Sequence, residues 1–267
     1  MIVFPNAKIN IGLHVVSKRL DGYHNLETIF YPVQLSDSLE MAEANETRIS
    51  FSGLSVDGPP EQNLVLKAYQ LLKNDFNLSP VQFHLHKVIP AGAGLGGGSS
   101  DAAFTLKMLN DFFQLRLNNE QLKNYAAKLG ADCSFFIENK PAFATGIGNQ
   151  LSPVKIDLLD YRIVILKPDV SVSTADAYKN IIPSKPEFHL QNLAELPVSE
   201  WKNLVVNDFE KSVFPRFPEI KNLKNKLYEL GAEFASMSGS GSAVFGIFRH
   251  LPTDLDNSIP QGILFSR

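Results

Sequence analysis

The chain has 267 residues, 44% of them apolar, enough for one large domain or two modest ones around a buried core. Its formal net charge of −3 argues against a protein built as a whole to bind nucleic acid, although a local basic pocket is compatible with it. The lone Cys133 allows no internal disulfide, and neither a leader pattern nor an apolar stretch near the ~20 residues of a membrane span occurs, so a soluble cytoplasmic protein is expected.

Residues 1–16 read MIVFPNAKINIGLHVV. Ile9, Ile11, Leu13 and Val15 alternate with Lys8, Asn10, Gly12 and His14, the period of a half-buried strand. Lys8 and Asn10 therefore share a face, which without further context is a solvated one. Asp21-Gly22 marks a tight turn, and Tyr23 and His24 follow it with a flat ring and a donor–acceptor pair side by side. On its own, an aromatic in a turn is simple packing. Alternation continues through Ile29–Leu35 and Leu39–Met41 to a loop at Asp57-Gly58-Pro59-Pro60. Asn63 fits an N-cap for the helix NLVLKAYQLLK, whose stripe is Leu64, Ala68 and Leu71, flanked by Val65 and Leu72.

The strand VQFHLHKV then runs into VIPAGAGLGGGSSDAA at 88–103, with glycines at 92, 94, 96, 97 and 98. Such a run lets backbone N–H groups converge on one anion. Ser99 or Ser100 is expected to cap a helix carrying Ala102, Leu106, Leu109 and Phe113 at helical spacing. The free N–H groups and positive dipole end of that helix face whatever the loop holds, most simply a phosphate chain. No Lys-Ser or Lys-Thr follows the glycines, so this is no Walker loop. Gly92, Gly94 and Gly97 satisfy GxGxxG. A dinucleotide fold, however, wants a buried parallel strand before the loop, and here the strand alternates and Pro90 interrupts it. HRD and DFG are absent, which excludes a protein kinase.

Asn118 and Gln121 have capping-box spacing ahead of Leu122, Tyr125, Ala126 and Leu129, and Gly130 stops that helix. Asp132 then enters an apolar segment. A buried carboxylate without a partner is costly, so Asp132 is either a paired structural cap or a working acid. Cys133 has no marked partner base and reads as packing. A glycine-punctuated turn at 141–149 and an apolar strand at Tyr161–Leu166 follow, with a domain boundary expected near 150–160. In VSVSTADAY, Tyr178 is either the core residue of a short helix capped by Thr174 or part of a site. The proline-bearing stretch 183–199 reads as a surface loop, and Asn207-Asp208-Phe209-Glu210 carries no assignable chemistry. Ile220, Leu223, Leu227 and Leu230 form a helix ended by Gly231. FASMSGSGS, with Gly239 and Gly241, is a second backbone nest or a hairpin turn. His84 and His86 share a strand face, but two ligands do not make a metal site.

Three of these stretches resemble the motifs of the GHMP kinases, the superfamily of galacto-, homoserine, mevalonate and phosphomevalonate kinases. PNAKINIGLHV is similar to the first motif, Pro-x-Lys-x-Asn-Leu. Pro90 to Ser100 is similar to the second, Pro-x-x-x-Gly-Leu-Gly with small residues and Ser-Ser, and FASMSGSGS to the third. Asp21-Gly22-Tyr23-His24-x-Leu26 and the GLGGGSS variant look like one branch, the diphosphocytidyl methylerythritol kinases. The likeness extends over nearly the whole chain.

The resemblance implies an α+β, two-domain GHMP kinase fold. An S5-like N-terminal domain with the phosphate loop is expected over 1–155 and a ferredoxin-like C-terminal domain over 156–267. It implies an ATP-dependent kinase of non-mevalonate isoprenoid precursor synthesis that phosphorylates the 2-hydroxyl of a cytidine diphosphate derivative. Lys8 and Asp132 are the implied catalytic residues, although Cys133 and Ser134 stand where Val-Pro is common. Pro90, Ala91, Gly92, Ala93, Gly94, Leu95, Gly96, Gly97, Gly98, Ser99 and Ser100 are implied to hold ATP, with Asn63 and Lys87 nearer its nucleoside. Asn10, Tyr23, His24, Tyr178, Gly239 and Gly241 are implied to face the substrate. Of these, Tyr23 would stack on the cytosine, worth roughly 1–3 kcal/mol, and His24 would read its polar edge. Mg²⁺ is expected with ATP, with no protein ligand identified. The expected partner is a small molecule, with no nucleic acid and no membrane, and the expected state a monomer or weak dimer.

Overall fold

Along the chain the strands are β1 (Ile2–Val3), β2 (Asn6–Lys18), β3 (His24–Ser36), β4 (Ser38–Glu43), β5 (Arg48–Gly53), β6 (Val81–Lys87), β7 (Ala142–Thr145), β8 (Gln150–Pro153), β9 (Arg162–Leu166), β10 (Phe234–Met237), β11 (Val244–Phe248) and β12 (Ile263–Phe265). The helices are α1 (Leu64–Asp75), α2 (Gly97–Phe112), α3 (Asn119–Leu129), α4 (Phe135–Glu138), α5 (Thr174–Tyr178), α6 (Val198–Leu204), α7 (Glu210–Val213) and α8 (Pro218–Glu229). The structure is a computed structural model and describes residues 1–179, 181–252 and the backbone of 263–265. Among the described residues no helix is long and apolar enough to cross a membrane.

Two compact units interleave along the chain. One comprises residues 1–7, 35–91 and 96–140, and the other 8–34, 92–95 and 141–267. This is a different cut from a single boundary at 155, because strands from the start of the chain join elements from its end.

In the first unit the sheet order is β1-β4-β6-β5, with β6 antiparallel to β4 and parallel to β5. The alternation of β6 buries Val81, Phe83 and Leu85 on one face. Helix α1 reaches that face through Tyr69, whose ring meets Phe83 edge-on at 6.1 Å. The buried side of α1 is Val65, Ala68, Tyr69 and Leu72, so the expected stripe is rotated: Leu64 and Leu71 lie at its margin. Asn118 and Gln121 form the expected reciprocal capping box of α3.

Helix α2 starts earlier than the serines suggested. Its N-cap is Gly96, in the left-handed region at φ 72°, and no side chain caps it. Ser99 and Ser100 lie within the first turn, because a glycine sequence can enter the helix directly from that region. Ala102, Leu106 and Leu109 are fully buried, while Phe113 is the half-buried residue just past the helix end.

In the second unit one sheet has the order β2-β3-β7-β8 and another the order β10-β11-β9-β12, the pairs of the latter antiparallel. Leu13 and Val15 of β2 join Val164, Leu166, Val213, Ile220, Leu227, Met237 and Phe248 in one core. The stretch 183–199 is not all surface. Leu190 and Leu193 are fully buried on a 3₁₀ turn (Leu190–Glu195), where an i, i+3 pair shares one face. Helix α5 is capped by Ser173, whose Oγ accepts the Asp176 N–H at 3.0 Å, rather than by Thr174.

Candidate functional site

The glycine loop is anchored at both stems in the first unit. Asp37 Oδ1 accepts the backbone N–H groups of Val88 (2.6 Å) and Ile89 (2.8 Å), where β6 gives way to the loop. Lys87 Nζ donates to Asp37 and, at 2.8 Å, to Asp101 near the start of α2. All three side chains are buried. Burial pulls the lysine pKa down, but the carboxylates of Asp101 and Asp37 outweigh it and hold Lys87 above its ordinary value. Lys87, expected near the nucleotide, is thus engaged with two carboxylates, its Nζ 3.3 Å from where a Cβ on Gly97 would stand. Asn63 is the N-cap of α1, accepting the Val65 N–H at 2.9 Å, and Leu64 beside it lies against Gly98. Pro90 and Ala91 complete the stem, and the N–H groups of Gly97, Gly98 and Ser99 begin α2 without intrahelical acceptors. A helix start of this kind attracts an anion.

The turn after α3 carries Asp132. It is half-buried, one residue before the fully buried Cys133. A Cβ on Gly130 would lie 3.3 Å from Cys133 Sγ and 4.0 Å from Ser99 Oγ, so this turn packs against the first turn of α2. Burial pushes the Cys133 thiol up to about 11, with Ser99 opposing and Asp132 adding to the rise. It therefore stays protonated, as a packing residue would.

In the second unit the other motif residues converge. Lys8 and Asn10 are each 3% exposed, so their shared strand face is not the solvated one that alternation alone suggests. Lys8 Nζ donates to Asn10 Oδ1 at 2.6 Å and to Gly94 O at 3.0 Å, and lies 5.1 Å from the Phe30 ring centre. Asn10 Nδ2 donates to Thr28 Oγ1 at 3.0 Å, which fixes the orientation of the amide. Ser238 Oγ accepts the Asn10 N–H (3.2 Å) and donates to Gly94 O (2.8 Å). One serine hydroxyl therefore joins the first strand motif, the glycine loop and the third loop. Gly94, at φ 75°, must be glycine here, because a Cβ would stand 2.0 Å from Ser238 O. Gly92, Ala93 and Leu95 flank it, with Ala93 O accepting the Ala243 N–H (3.1 Å) and Leu95 O the Lys8 N–H (2.9 Å). Gly239 follows Ser238, its Cβ position 3.1 Å from Asn10 Oδ1, whereas Gly241 sits at the far side of the loop against Met237.

His24 and Tyr178 form a separate pair in the same unit, with Tyr23 next to His24 in the chain. Asp21 Oδ1 accepts the Tyr23 N–H at 3.1 Å, which shapes the turn and leaves the tyrosine side chain exposed. His24 stacks on Tyr178 with ring centres 4.7 Å apart and planes at 20°, and Tyr178 meets Phe209 edge-on at 4.8 Å. Tyr178 is only half-buried, at the end of α5. Burial, aided by Lys18, holds His24 below its ordinary pKa, so at neutral pH the ring offers one donor and one acceptor.

Sequence reasoning missed Ser238, Thr28, Asp37 and Asp101. Ser238 lies in a serine-rich run where nothing marks one hydroxyl over another. Asp37 lies in a two-strand connection with no motif. Among the described residues no group of three or more His, Cys, Asp and Glu side chains is arranged to hold a metal ion.

The GHMP kinases N terminal domain matches residues 63–140, and the GHMP kinases C terminal domain residues 189–255. A 4-diphosphocytidyl-2-C-methyl-D-erythritol kinase of Bacteroides fragilis is 58% identical over 252 residues, covering 93% of this chain and 92% of its own. The enzyme of the same name from Bacteroides thetaiotaomicron is 57% identical with the same coverage of both chains, 93% and 92%. A crystal structure of 4-(cytidine 5'-diphospho)-2C-methyl-D-erythritol kinase is similar with a TM-score of 0.85 at 32% identity, covering 100% of this chain and 98% of that one.

Proposed function

The chain belongs to the 4-diphosphocytidyl-2-C-methyl-D-erythritol kinases of the GHMP kinase family, and from that membership we propose that it passes the γ-phosphoryl of ATP to the 2-hydroxyl of 4-diphosphocytidyl-2-C-methyl-D-erythritol. This is a step of non-mevalonate isoprenoid precursor synthesis. The observation that carries the reading is the junction at Gly94, whose carbonyl oxygen accepts from Lys8 and Ser238, both of which are bonded to Asn10.

Each residue has a role in this reading. The N–H groups from Gly92 to Ser100 and the start of α2 hold the triphosphate, with Pro90 and Ala91 setting the loop stem. Asn63 lies on the nucleoside side. Lys87 acts from behind the loop, through Asp101. Asp132 accepts or orients the proton of the acceptor hydroxyl. Lys8, held in place by Asn10, neutralises the charge that develops on the transferring phosphoryl. Phosphoryl transfer has a loose transition state, so positioning and charge stabilisation supply most of the rate. Gly239 and Gly241 keep the third loop against the substrate phosphates.

Tyr23 and Tyr178 flank the cytosine, and neutral His24 pairs with its polar edge. Mg²⁺ arrives with ATP as part of the nucleotide substrate. The protein acts in the cytoplasm as a monomer or weak dimer, on a small molecule and without nucleic acid, which its acidic balance supports.

The test is coupled ADP release from ATP-Mg²⁺ with the cytidyl compound, homoserine, mevalonate and galactose as acceptors. Turnover only with the cytidyl compound is expected, together with a raised KM for it in Tyr23→Ala. Turnover with another alcohol and an unchanged KM in Tyr23→Ala would remove the cytosine clamp. ATP binding without turnover would leave a silent nucleotide binder.

A further inference from the structure

The run Asn207-Asp208-Phe209-Glu210 has no part in the chemistry above, yet its polar side chains reach the third loop and β2. Asn207 is 2% exposed. Its Nδ2 donates to the carbonyl oxygens of Met237 and Gly239, both at 2.8 Å, and its Oδ1 accepts the Phe209 N–H at 3.0 Å. Only an –NH₂ group can face two carbonyls, so these contacts fix the orientation of the amide. Glu210 takes the Met237 N–H at 2.9 Å and the Ser236 hydroxyl at 3.2 Å, while its other oxygen holds Lys224 Nζ at 2.6 Å.

On the opposite side the same run is laced to β2. The Leu13 N–H donates to Val206 O (2.9 Å), the Asp208 N–H to Leu13 O (2.8 Å), and the Val15 N–H to Asp208 Oδ2 (2.9 Å). The residue between the two carbonyls held by Asn207 is Ser238, the hydroxyl that joins Gly94 to Asn10.

We propose that Asn207 is a positioning residue for the phosphoryl transfer, holding Met237 and Gly239 so that Ser238 stays bonded to Gly94 and Asn10. The inference rests on the kinase reading given above. Without the amide, two carbonyls in a buried setting lose a donor, and the loop relaxes by moving toward other partners. A displacement of about 1 Å near reacting groups is enough to lower a rate on the order of 10²-fold.

The experiment compares wild type with Asn207→Ala, Asn207→Asp, Ser238→Ala and the Asn207→Ala/Ser238→Ala double variant. It measures kcat/KM with the cytidyl acceptor, the stoichiometry of ATP binding by calorimetric titration, and deuterium uptake at residues 237–243 and 244–248. Asn207→Asp keeps the size and the cap on Phe209 but sets an acceptor against two carbonyls. For both single Asn207 variants the expected loss in kcat/KM is roughly 10- to 100-fold, with one ATP bound per chain and faster exchange confined to 237–243. The double variant should be no worse than the weaker single variant beyond about threefold, because the two residues act through one contact.

Near-wild-type kcat/KM in either Asn207 variant, multiplicative losses in the double, or exchange rising equally in 244–248 would overturn the proposal. So would loss of stoichiometric ATP binding in both Asn207 variants, since the role would then be structural. An inactive wild type would refute the kinase reading instead, and the exchange rates alone would then decide whether Asn207 tethers the loop.

Discussion

Asp132 is half-buried on a turn that packs, through Gly130, against the first turn of α2. Asp132→Asn keeps the size and the turn but removes the base proposed above. With ATP binding retained, kcat should fall by about 10²–10⁴-fold, the usual contribution of a general base. Near-normal turnover would take Asp132 out of the mechanism.

Asp101 makes a different prediction. One ammonium, Lys87, serves two buried carboxylates. Asp37 also takes two backbone N–H groups, whereas Asp101 Oδ1 has no partner among the described residues. Asp101 is thus the group that retains a proton. Burial pushes it up to about 7, against the pull of Lys87 and with the push of Asp37. Its folded pKa lies above the unfolded value, so the native state binds that proton more tightly. Stability present below about pH 4, where an unfolded aspartate titrates, is lost as pH rises to about 7. Asp101→Asn is uncharged throughout and leaves Lys87 a balanced partner in Asp37. Melting temperatures from pH 5 to 8 should therefore show the variant-minus-wild-type difference rising with pH. A flat difference would mean that Asp101 is ionised across this range.

At the scale of elements, what the sequence made legible was what periodicity and local capping determine. The alternation at Ile9–Val15 and Val81–Leu85 gave β2 and β6, and the Asn118–Gln121 pair gave the start of α3. That capping box makes its own prediction: Asn118→Ala should lower the unfolding free energy by about 1 kcal/mol in urea titration while leaving kcat unchanged. A loss near zero would mean that packing alone fixes that helix start.

What was not legible depended on backbone geometry or distant contacts. The start of α2 was misjudged because a left-handed Gly96 does the work usually done by a capping hydroxyl. The buried Leu190 and Leu193 were hidden among prolines that read as loop. The face of Lys8 and Asn10 looked solvated, since alternation shows that two residues share a side but not what covers it. The motif residues themselves were found by their pattern. Their connectors, Ser238 and Asn207, were not, because each is defined by carbonyls far away in the chain.

At the scale of the whole molecule, a boundary near 155 separates the stretches that match the two family domains, residues 63–140 and 189–255. The compact units follow a different line, since composition along a chain does not reveal which early strands pack on late ones. Leu13 and Val15 of β2 are buried in the core built by β9, β11 and α8. The backbone of β2 also bonds to Val206 and Asp208. A fragment of residues 156–267 lacks all of this. Two aliphatic side chains buried against it account for roughly 1.5–3 kcal/mol each, and the lost bonds leave Val206 O, the Asp208 N–H and Asp208 Oδ2 without their β2 partners. Against a typical total of about 5–15 kcal/mol for a folded domain, that deficit is decisive. Expressed alone, 156–267 should show no cooperative thermal transition. Co-expressed with 1–155, it should fold and restore acceptor-dependent ADP release. A cooperative transition in the isolated fragment would mean that β2 is dispensable to that core, and that the chain divides at the motif boundary after all.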